Sequence, residues 1–479
     1  MHSKEAAALA ALVILFGCER VPKPYGALPS HAQLEWQKME MNMFCHFGPN
    51  TFSGLEWGEG TEPEDMFNPS ALDCSQWVSV ASAAGFKGII ITAKHHDGFC
   101  LWPSPETSHS VSASSWKNGN GDVLRELSDA CRAGGLKFGV YISPWDRNDP
   151  RYGSPEYNEV FCRTLESALS SYGPVFEQWL DGACGEGPNG KRQVYDWDLF
   201  HSEVYKHQPD AVIFSDAGPG CRWVGNEKGR ASCTSWSTFS PEKHEMSPGI
   251  LPGNYEQYLG EGDVDGGYWI PSETDVSIRP GWFWRESENG SVKSVRELLR
   301  IYYESVGRNS LLLLNVPPDT RGLIHPADSA RLLEFRAALD TIFSRDFCEG
   351  GTAVADSRIG PKCYAANLLN DDYNSFWAAR RREASVTVTL DAPATFNRIM
   401  LQEYIPLGQR VSSFDLDVFG PDGWETVASE TTIGYKRILL IPDVTATKIR
   451  VRITGSLAPP VLNRVAAYYD SVMRADEAK

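Results

Sequence analysis

Polar side chains follow four apolar runs in the first half of the chain, in places where they could take part in chemistry. His46 closes the run "MNMFC", His95 and His96 follow "GIIITAK", Tyr141 lies near the end of "FGVYIS", and Asp181 closes "VFEQWL". If these runs are parallel strands of one barrel, their carboxyl ends meet at a single mouth. The sequence therefore predicts that three imidazoles, a phenol and a carboxylate converge there.

The three histidines permit two kinds of site. Neutral imidazoles with a carboxylate bind zinc or iron, whereas each neutral imidazole also offers a donor and an acceptor to sugar hydroxyls without a charge to desolvate. Adjacent strand residues point to opposite faces, so only one of His95 and His96 would face the barrel interior unless the strand end is irregular. We favour the hydroxyl-binding interpretation and expect neither a metal nor a cofactor.

Asp181 is the candidate nucleophile. Because Gly182 follows it, its carboxylate can project from the strand end at little steric cost. A carboxylate beside His and Tyr donors can remain ionised, as a nucleophile requires. The alternative role for an Asp at this position is a helix N-cap or a turn.

If the ligand is a sugar that is cleaved with retention, a second carboxyl group must lie about 5–5.5 Å from the nucleophile. Sequence spacing does not fix that distance. Glu227 lies in the glycine-containing segment "RWVGNEKG" with a Trp nearby, where its pKa could be raised. The other downstream candidates are Asp216, Glu273 and Asp275.

Short apolar runs alternate with amphipathic helical segments such as "DVLRELSDACRAGG", which is the pattern of βα units around a parallel sheet. This pattern predicts an α/β fold, a (β/α)8-like TIM barrel with one strand missed or irregular. A doubly wound open sheet is the alternative, but no GxGxxG segment opens a helix after a strand. The predicted strands are Met41–Phe47, Gly88–Thr92, Phe138–Ser143, Val175–Asp181, Ala211–Asp216, Tyr268–Thr274 and Ser310–Val316.

From about residue 345 the pattern changes to alternating runs such as "ASVTVTLDA" and "KIRVRITG", separated by Pro, Gly and Asp, which is typical of a β-sandwich. Such a module could bind carbohydrate or brace the barrel, and we favour the brace. The predicted organisation is a signal segment over 1–18, a linker over 19–30, a catalytic barrel over 31–345 and a β-sandwich over 346–479.

The chain has 479 residues and a formal charge of −17, which argues against a nucleic-acid partner. Lys4, the apolar run 6–16 and the pair Gly17-Cys18 resemble the export signal of a bacterial lipoprotein. We therefore expect lipidation and membrane attachment at Cys18, with the protein in the periplasm or at the outer membrane. A plain secretory signal is the alternative.

Five separated blocks occur in order: "WQKMEMNMFCHFGPNTF", "GIIITAKHHDGFCLWPS", "GVYISPWDRNDPRYG", "VFEQWLDGACGEGPNG" and "NSLLLLNVPPDTRGLI". Together, over residues 31–345, they resemble the α-L-fucosidases of glycoside hydrolase family 29. The resemblance implies retaining hydrolysis without a metal, an α-L-fucose pocket that takes fucosylated oligosaccharides or glycoconjugates, and a C-terminal β-sandwich of the galactose-binding-like type.

Residue by residue, the resemblance implies roles for several side chains. The family nucleophile falls on Asp181. The segments "RWVGNEKG" and "ETDVSIRPGWFW" look like the branch that cleaves α1,3- and α1,4-linked fucose from Lewis-type glycans, which makes Glu227 the acid/base. Positions that match fucose-contacting or pocket-lining residues are His46, Trp57, His95, His96, Tyr141, Arg279 and Trp282. A broad-specificity fucosidase, a non-catalytic fucose-binding lipoprotein and a metal-dependent hydrolase remain alternatives.

Overall fold

The computed structural model describes residues 21–473. Its first part contains ten strands, eight of which are parallel and close into a barrel, while two short ones pair antiparallel beside it. The strands are β1 (Met41–Cys45), β2 (Gly88–Lys94), β3 (Lys137–Ile142), β4 (Glu177–Trp179), β5 (Val212–Ser215), β6 (Cys221–Trp223), β7 (Thr238–Phe239), β8 (Tyr268–Trp269), β9 (Ser272–Ser277) and β10 (Leu311–Asn315). The order around the barrel is β1-β10-β9-β6-β5-β4-β3-β2, and β7 pairs with β8.

Helices follow most of the barrel strands. Helix boundaries agree with local capping chemistry: Asp122 accepts the N–H of Arg125 at the start of one helix, and Gly135 ends it in the left-handed conformation. The helices are α1 (His31–Gln37), α2 (Pro49–Ser53), α3 (Cys74–Ala84), α4 (Val123–Gly134), α5 (Glu156–Leu169), α6 (Trp197–His207), α7 (Tyr255–Glu261), α8 (Val295–Glu304) and α9 (Pro326–Phe343).

The barrel strands are buried on both faces, as their continuous apolar runs predicted. The TIM-like barrel is therefore confirmed, and the strand missing from the sequence interpretation is β6, which has only three residues. The predicted strand Tyr268–Thr274 combined two elements, since it spans β8 and only the start of β9.

The C-terminal region forms one antiparallel sheet of seven strands around its own apolar core. Its two longest strands have 20 residues each, and a register shift between Thr389 and Ala394 interrupts their pairing, which lets the sheet bend over that core. The strands are β11 (Thr352–Ala355), β12 (Trp377–Ala378), β13 (Ala384–Glu403), β14 (Val411–Gly420), β15 (Gly423–Glu430), β16 (Arg437–Ser456) and β17 (Val461–Tyr468).

The C-terminal sheet is bound to the barrel through polar contacts. Glu40, just before β1, accepts hydrogen bonds from the Lys436 ammonium and the Tyr435 hydroxyl, and Asn309 accepts the backbone N–H of Tyr435 at 2.7 Å. The segment before α1 also packs on this sheet, because the Tyr25 N–H donates to the Leu407 carbonyl at 3.0 Å. These contacts are those expected of a brace.

The signal segment and Cys18 lie outside the described residues. Within residues 21–473, no helix is long and apolar enough to cross a membrane.

Candidate active site

Asp181 lies just beyond the end of β4 and is held by two donors. Its Oδ1 accepts the backbone N–H of Ala183 at 2.8 Å, and its Oδ2 accepts the hydroxyl of Tyr141 at 3.0 Å. About a quarter of its side chain remains exposed (26%). The hydrogen bond from the Ala183 N–H to Asp181 Oδ1 is a turn contact. Asp181 therefore has the predicted turn role and also keeps an accessible carboxylate.

Three imidazoles cluster beside Tyr141, and one of them, His96, lies 3.6 Å from the Asp181 carboxylate. The ring centroids of His46 and His95 are 5.8 Å apart, and those of His95 and His96 are 4.2 Å apart. His95 also stacks on Tyr141 at 5.7 Å. Burial lowers the pKa of His46 to about 3 and that of His96 to about 4, and it lowers the pKa of His95 well below the ordinary value. All three rings are therefore neutral near pH 7.

Both adjacent histidines reach the site because the end of β2 is irregular. The pairing of β2 with β3 shifts register between Thr92 and Lys94, so His95 and His96 lie beyond the regular strand. Lys94 points away into a buried ion pair with Asp146 at 3.0 Å. The strand-alternation argument against two site histidines thus does not apply here.

Two indoles contribute from loops. The Trp282 ring lies 4.9 Å from that of His46, and its Nε1–H donates to Glu227 Oε2 at 3.4 Å. Trp57 is 55% exposed and packs edge-on against His96 at 5.8 Å. The mouth therefore has an apolar aromatic rim around a polar floor.

A cavity of about 630 Å³ opens beside Asp181. It is large enough for an oligosaccharide end, and it brings together candidate carboxyl groups from strands β4, β5, β6 and β9. Its lining comprises Trp179, Asp181, Gly182, Ala183, Cys184, Arg192, Gln193, Phe214, Asp216, Trp223, Glu227, Gly249, Leu251 and Asp275.

Two of the acid/base candidates differ in exposure. Glu227 is solvent-exposed at the mouth, and partial desolvation there, with a smaller contribution from Asp181, raises its pKa. Asp216 is more deeply buried, accepts the Gly249 N–H at 2.8 Å and has its pKa raised to about 7, again chiefly by burial. Both therefore retain a proton more readily than an ordinary carboxyl group, as a general acid must.

The other two candidates are less suited to proton transfer. Asp275 is buried and accepts the Trp223 indole N–H at 2.8 Å. Glu273 lies in the barrel interior, fully buried, where it accepts the Trp179 indole N–H at 2.9 Å, and it does not line the cavity. The structure thus contradicts its placement at the mouth.

Comparison with known proteins agrees with this geometry. The α-L-fucosidase family profile matches residues 24–340. The chain belongs to the α-L-fucosidase family. It is a glycoside hydrolase of family 29, and its sequence is 43% identical to α-L-fucosidase 1 of Arabidopsis thaliana over 462 residues, covering 94% of this chain and 89% of that protein.

Solved structures of family 29 share the whole architecture. A Ruminococcus gnavus fucosidase of this family in complex with fucose superposes with a TM-score of 0.87 at 30% identity, covering 94% of this chain and 97% of that one. A family member from an unknown rumen bacterium gives a TM-score of 0.83 at 39% identity, covering 95% and 79% of the two chains.

Arg279 does not line the pocket of this α-L-fucosidase, contrary to the sequence interpretation. Its side chain is fully buried and its Nε bonds both carboxylate oxygens of Asp328 on α9, at 3.1 and 2.9 Å. An unpaired buried guanidinium would be costly, so this pair ties the loop after β9 to the outer helix. Trp282, three residues later, does reach the mouth.

The site histidines are not arranged as a metal centre with Asp181. Within residues 21–473, two groups of side chains are close enough to share an ion, and neither includes His46, His95, His96 or Asp181. One is on the surface and the other is inside the barrel. They are Glu166, Glu203 and His207, and Glu177, Cys221 and Glu273.

Sequence reasoning missed Asn315, which closes β10 and touches His46. Its Oδ1 lies 2.9 Å from His46 Nδ1. The signal was present, because Asn315 ends the apolar run "LLLL" just as the other site residues end theirs. Trp145, whose ring lies 4.8 Å from that of His96, carried no such signal because it lies in a loop.

Proposed function

We propose that this α-L-fucosidase is a retaining, exo-acting enzyme that removes terminal α1,3- or α1,4-linked fucose from Lewis-type glycans. In this proposal Asp181 is the nucleophile and Glu227 is the acid/base. The observation that carries it is that Asp181 and Glu227 line one cavity, with the His96 imidazole 3.6 Å from the Asp181 carboxylate.

The two carboxyl groups have environments suited to opposite roles. Asp181 accepts two hydrogen bonds, and donors of this kind stabilise an ionised carboxylate. Glu227 has a raised pKa and therefore keeps its proton to higher pH. A pair of carboxyl groups in different environments is what acid and nucleophile assignments require.

In the proposed mechanism Asp181 attacks the anomeric carbon while Glu227 protonates the departing glycan oxygen. The bond between the anomeric carbon and that oxygen breaks, and a covalent fucosyl-enzyme forms. Glu227, now a carboxylate, takes a proton from water, which displaces Asp181 and releases fucose. Two inversions at the anomeric carbon give net retention.

The pocket is suited to an uncharged polyhydroxylated ring. Neutral imidazoles of His46, His95 and His96 can bond hydroxyls without desolvating a charge, and the Trp57 and Trp282 faces can cover apolar C–H groups. The relative solved with bound fucose supports fucose as the ligand.

The proposed linkage preference is supported by two segments that meet at the mouth. Glu227 belongs to "RWVGNEKG" and Trp282 to "ETDVSIRPGWFW", and the indole of one bonds the carboxylate of the other. In the proposed mechanism the departing glycan lies beside Glu227, so both segments would contact it.

A substrate panel tests the linkage proposal. Purified enzyme is given Lewis a trisaccharide, Lewis x trisaccharide, 2′-fucosyllactose and an aryl α-L-fucoside, and fucose release is measured as kcat/KM. We expect the two Lewis trisaccharides to be preferred. Hydrolysis of 2′-fucosyllactose at an equal or greater kcat/KM would instead indicate a broad-specificity enzyme.

We also propose export and anchoring through Cys18. The apolar run ending in Gly17-Cys18 supports this. In a bacterial host that processes lipoproteins, the wild type should fractionate with membranes and Cys18→Ser should not. A wild type that remains in the aqueous fraction would favour a plain secretory signal.

A further inference from the structure

Two imidazoles at the site are each bonded by a side chain that lies behind them. His96 Nδ1 lies 2.7 Å from Ser143 Oγ, and His46 Nδ1 lies 2.9 Å from Asn315 Oδ1. A neutral imidazole carries one hydrogen, so these partners decide whether Nδ1 or Nε2 holds it.

A backbone carbonyl lies within reach of the single hydroxyl hydrogen of Ser143. Its Oγ donates to the carbonyl of Trp145 at 3.1 Å. The Lys94 ammonium bonds the carbonyls of Ser143 and Trp145 at 2.8 and 3.3 Å and thereby holds this turn in place. With its hydrogen directed to the Trp145 carbonyl, Ser143 Oγ accepts from His96 Nδ1, which then carries a hydrogen.

Asn315 presents its oxygen to His46 for a comparable reason. Its Nδ2 hydrogens donate to Ser277 Oγ at 2.9 Å and to the Trp282 carbonyl at 2.8 Å. Its Oδ1 also accepts the backbone N–H of His46 at 3.2 Å. A flipped amide would set its Nδ2 against the His46 N–H and its Oδ1 against the Trp282 carbonyl, so the orientation is determined and His46 Nδ1 carries the hydrogen.

We propose that Ser143 and Asn315 are positioning residues that fix His96 and His46 as Nδ1–H tautomers, so that both imidazoles present Nε2 as a hydrogen-bond acceptor to ligand hydroxyl groups. The part that concerns ligand recognition rests on the proposed function. The tautomer of His46 follows from the protein contacts alone, and that of His96 rests on Ser143 donating to the Trp145 carbonyl.

This arrangement has a consequence for the nucleophile. His96 Nε2 lies 3.6 Å from Asp181 Oδ2, and an unprotonated Nε2 provides no hydrogen to that oxygen. The donors to Asp181 are then the Tyr141 hydroxyl and the Ala183 N–H. With Ser143 absent, the hydrogen could move to Nε2 and bond Asp181, which would make the carboxylate a weaker nucleophile.

The test is a long-range ¹H–¹⁵N spectrum of the wild-type enzyme labelled at histidine, at pH 7.5 and without ligand. His46→Gln and His96→Gln spectra assign the two signals. The same chain supplies references: His109 bonds Glu64 through Nδ1 at 3.0 Å, and His207 bonds Glu203 through Nε2 at 2.8 Å. Carboxylates only accept, so His109 Nδ1 and His207 Nε2 each carry a hydrogen and mark the signals of a protonated Nδ1 and a protonated Nε2.

We expect both His46 and His96 to show the Nδ1–H pattern. An Nε2–H pattern, or an average of the two tautomers, at either ring overturns the proposal. Because no substrate is present, this result is independent of fucosidase activity, and loss of the proposed linkage preference would leave it unaffected.

Variants test the role of the positioning side chain. Ser143→Ala should shift His96 toward the Nε2–H pattern, leave His46 unchanged and lower kcat by roughly 10-fold, while Ser143→Thr, which keeps the hydroxyl, should retain the wild-type pattern. If the His96 signal of Ser143→Ala kept the wild-type tautomer pattern, Ser143 would not be the residue that fixes the His96 tautomer.

The ligand side is tested with fucose analogues in which one ring hydroxyl is replaced by fluorine. Fluorine cannot donate, so an acceptor Nε2 loses its partner, and at two positions we expect binding to weaken roughly 10-fold or more. Unchanged affinity at every position would contradict the assignment of the two rings as acceptors.

Discussion

Two pairs of carboxyl groups lie in the same barrel, one at the mouth and one in the interior. Asp181 and Glu227 line an open cavity at the mouth. Glu177 lies on β4, the strand that leads to Asp181. Its side chain is inside the barrel with that of Glu273, and carboxylate oxygens of the two residues are within 4.8 Å of one another. Residue type is nearly the same in the two places, but the surroundings differ.

The two interior carboxyl groups are buried, and each accepts a hydrogen bond from an indole N–H. Trp36 donates to Glu177 Oε2 at 2.7 Å and Trp179 donates to Glu273 Oε1 at 2.9 Å. Both carboxyl groups are fully buried, and burial raises the pKa of each. Two adjacent buried carboxylates cannot both ionise at low cost, so this pair holds at least one proton.

The mouth differs because solvent reaches it and backbone donors are available there. Asp181 receives a backbone N–H as well as a phenol hydroxyl. Depth along the barrel axis, and not the carboxyl group itself, therefore separates the proposed nucleophile from the buried pair in the interior.

The strongest test of this contrast is Asp181→Ala, which should lower kcat by on the order of 10⁴-fold because the group proposed to form the covalent bond is gone. Thermal unfolding should change little, since the side chain is partly exposed. Glu177→Gln is the matched control and should keep kcat within a few-fold of wild type. Normal turnover by Asp181→Ala would eliminate it as nucleophile.

The second test separates Glu227 from Asp216. Glu227→Ala should lower kcat/KM on natural glycans by about 10²- to 10⁴-fold, and azide should restore turnover of an aryl fucoside, whose leaving group needs no protonation. Asp216→Ala is the matched variant and should show no rescue. Rescue in Asp216→Ala without rescue in Glu227→Ala would transfer the acid/base role to Asp216.

The third test concerns the pH dependence of stability. A folded-state pKa raised above the unfolded value gives stability that is fully present below the unfolded pKa and is lost as pH rises through the folded pKa. The contribution of the interior pair to the free energy of unfolding should fall between pH 5 and 8, so we expect the wild type to lose more stability over this range than Glu177→Gln, by up to about 1 kcal/mol per pH unit.

Urea denaturation at each pH measures this difference. Glu425→Gln makes the same substitution on an exposed side chain and should leave the wild-type slope unchanged. Equal slopes in all three proteins would show that the interior pair ionises normally.

The smallest expected effect is at the rim. Trp57→Ala should raise KM by roughly 3- to 10-fold with little change in stability, because the indole is largely exposed. Trp36→Phe, which removes the donor to Glu177, should instead lower stability and leave KM near wild type. The reverse pattern would mean that Trp57 is a packing residue and not a ligand contact.

The sequence by itself determined the barrel and most of the site floor. Continuous apolar runs identified strands buried on both faces, and the polar residues that end those runs include His46, His95, His96, Tyr141 and Asp181, which the structure brings together. The rule works because carboxyl ends of parallel barrel strands share one rim.

Only the tertiary structure decided the fate of the other polar residues. A strand placed at Tyr268–Thr274 would put Glu273 at the mouth, but β9 runs from Ser272 to Ser277, so Glu273 lies near its start and inside the barrel. Arg279 forms an ion pair with Asp328, which lies on α9, far away in the sequence. An error of three residues in the end of a strand changes the depth in the barrel at which a side chain is expected. A partner from a distant part of the chain leaves no local pattern in the sequence.

The chemistry of the imidazoles also depended on the fold. The sequence supplied three histidines without stating their charge or tautomer. Burial beneath the rim makes them neutral, and Ser143 and Asn315, which follow or end other strands, bond Nδ1 of His96 and of His46. Such partners are set by contacts across the barrel, because desolvation and hydrogen-bond direction exist only once the strands have closed.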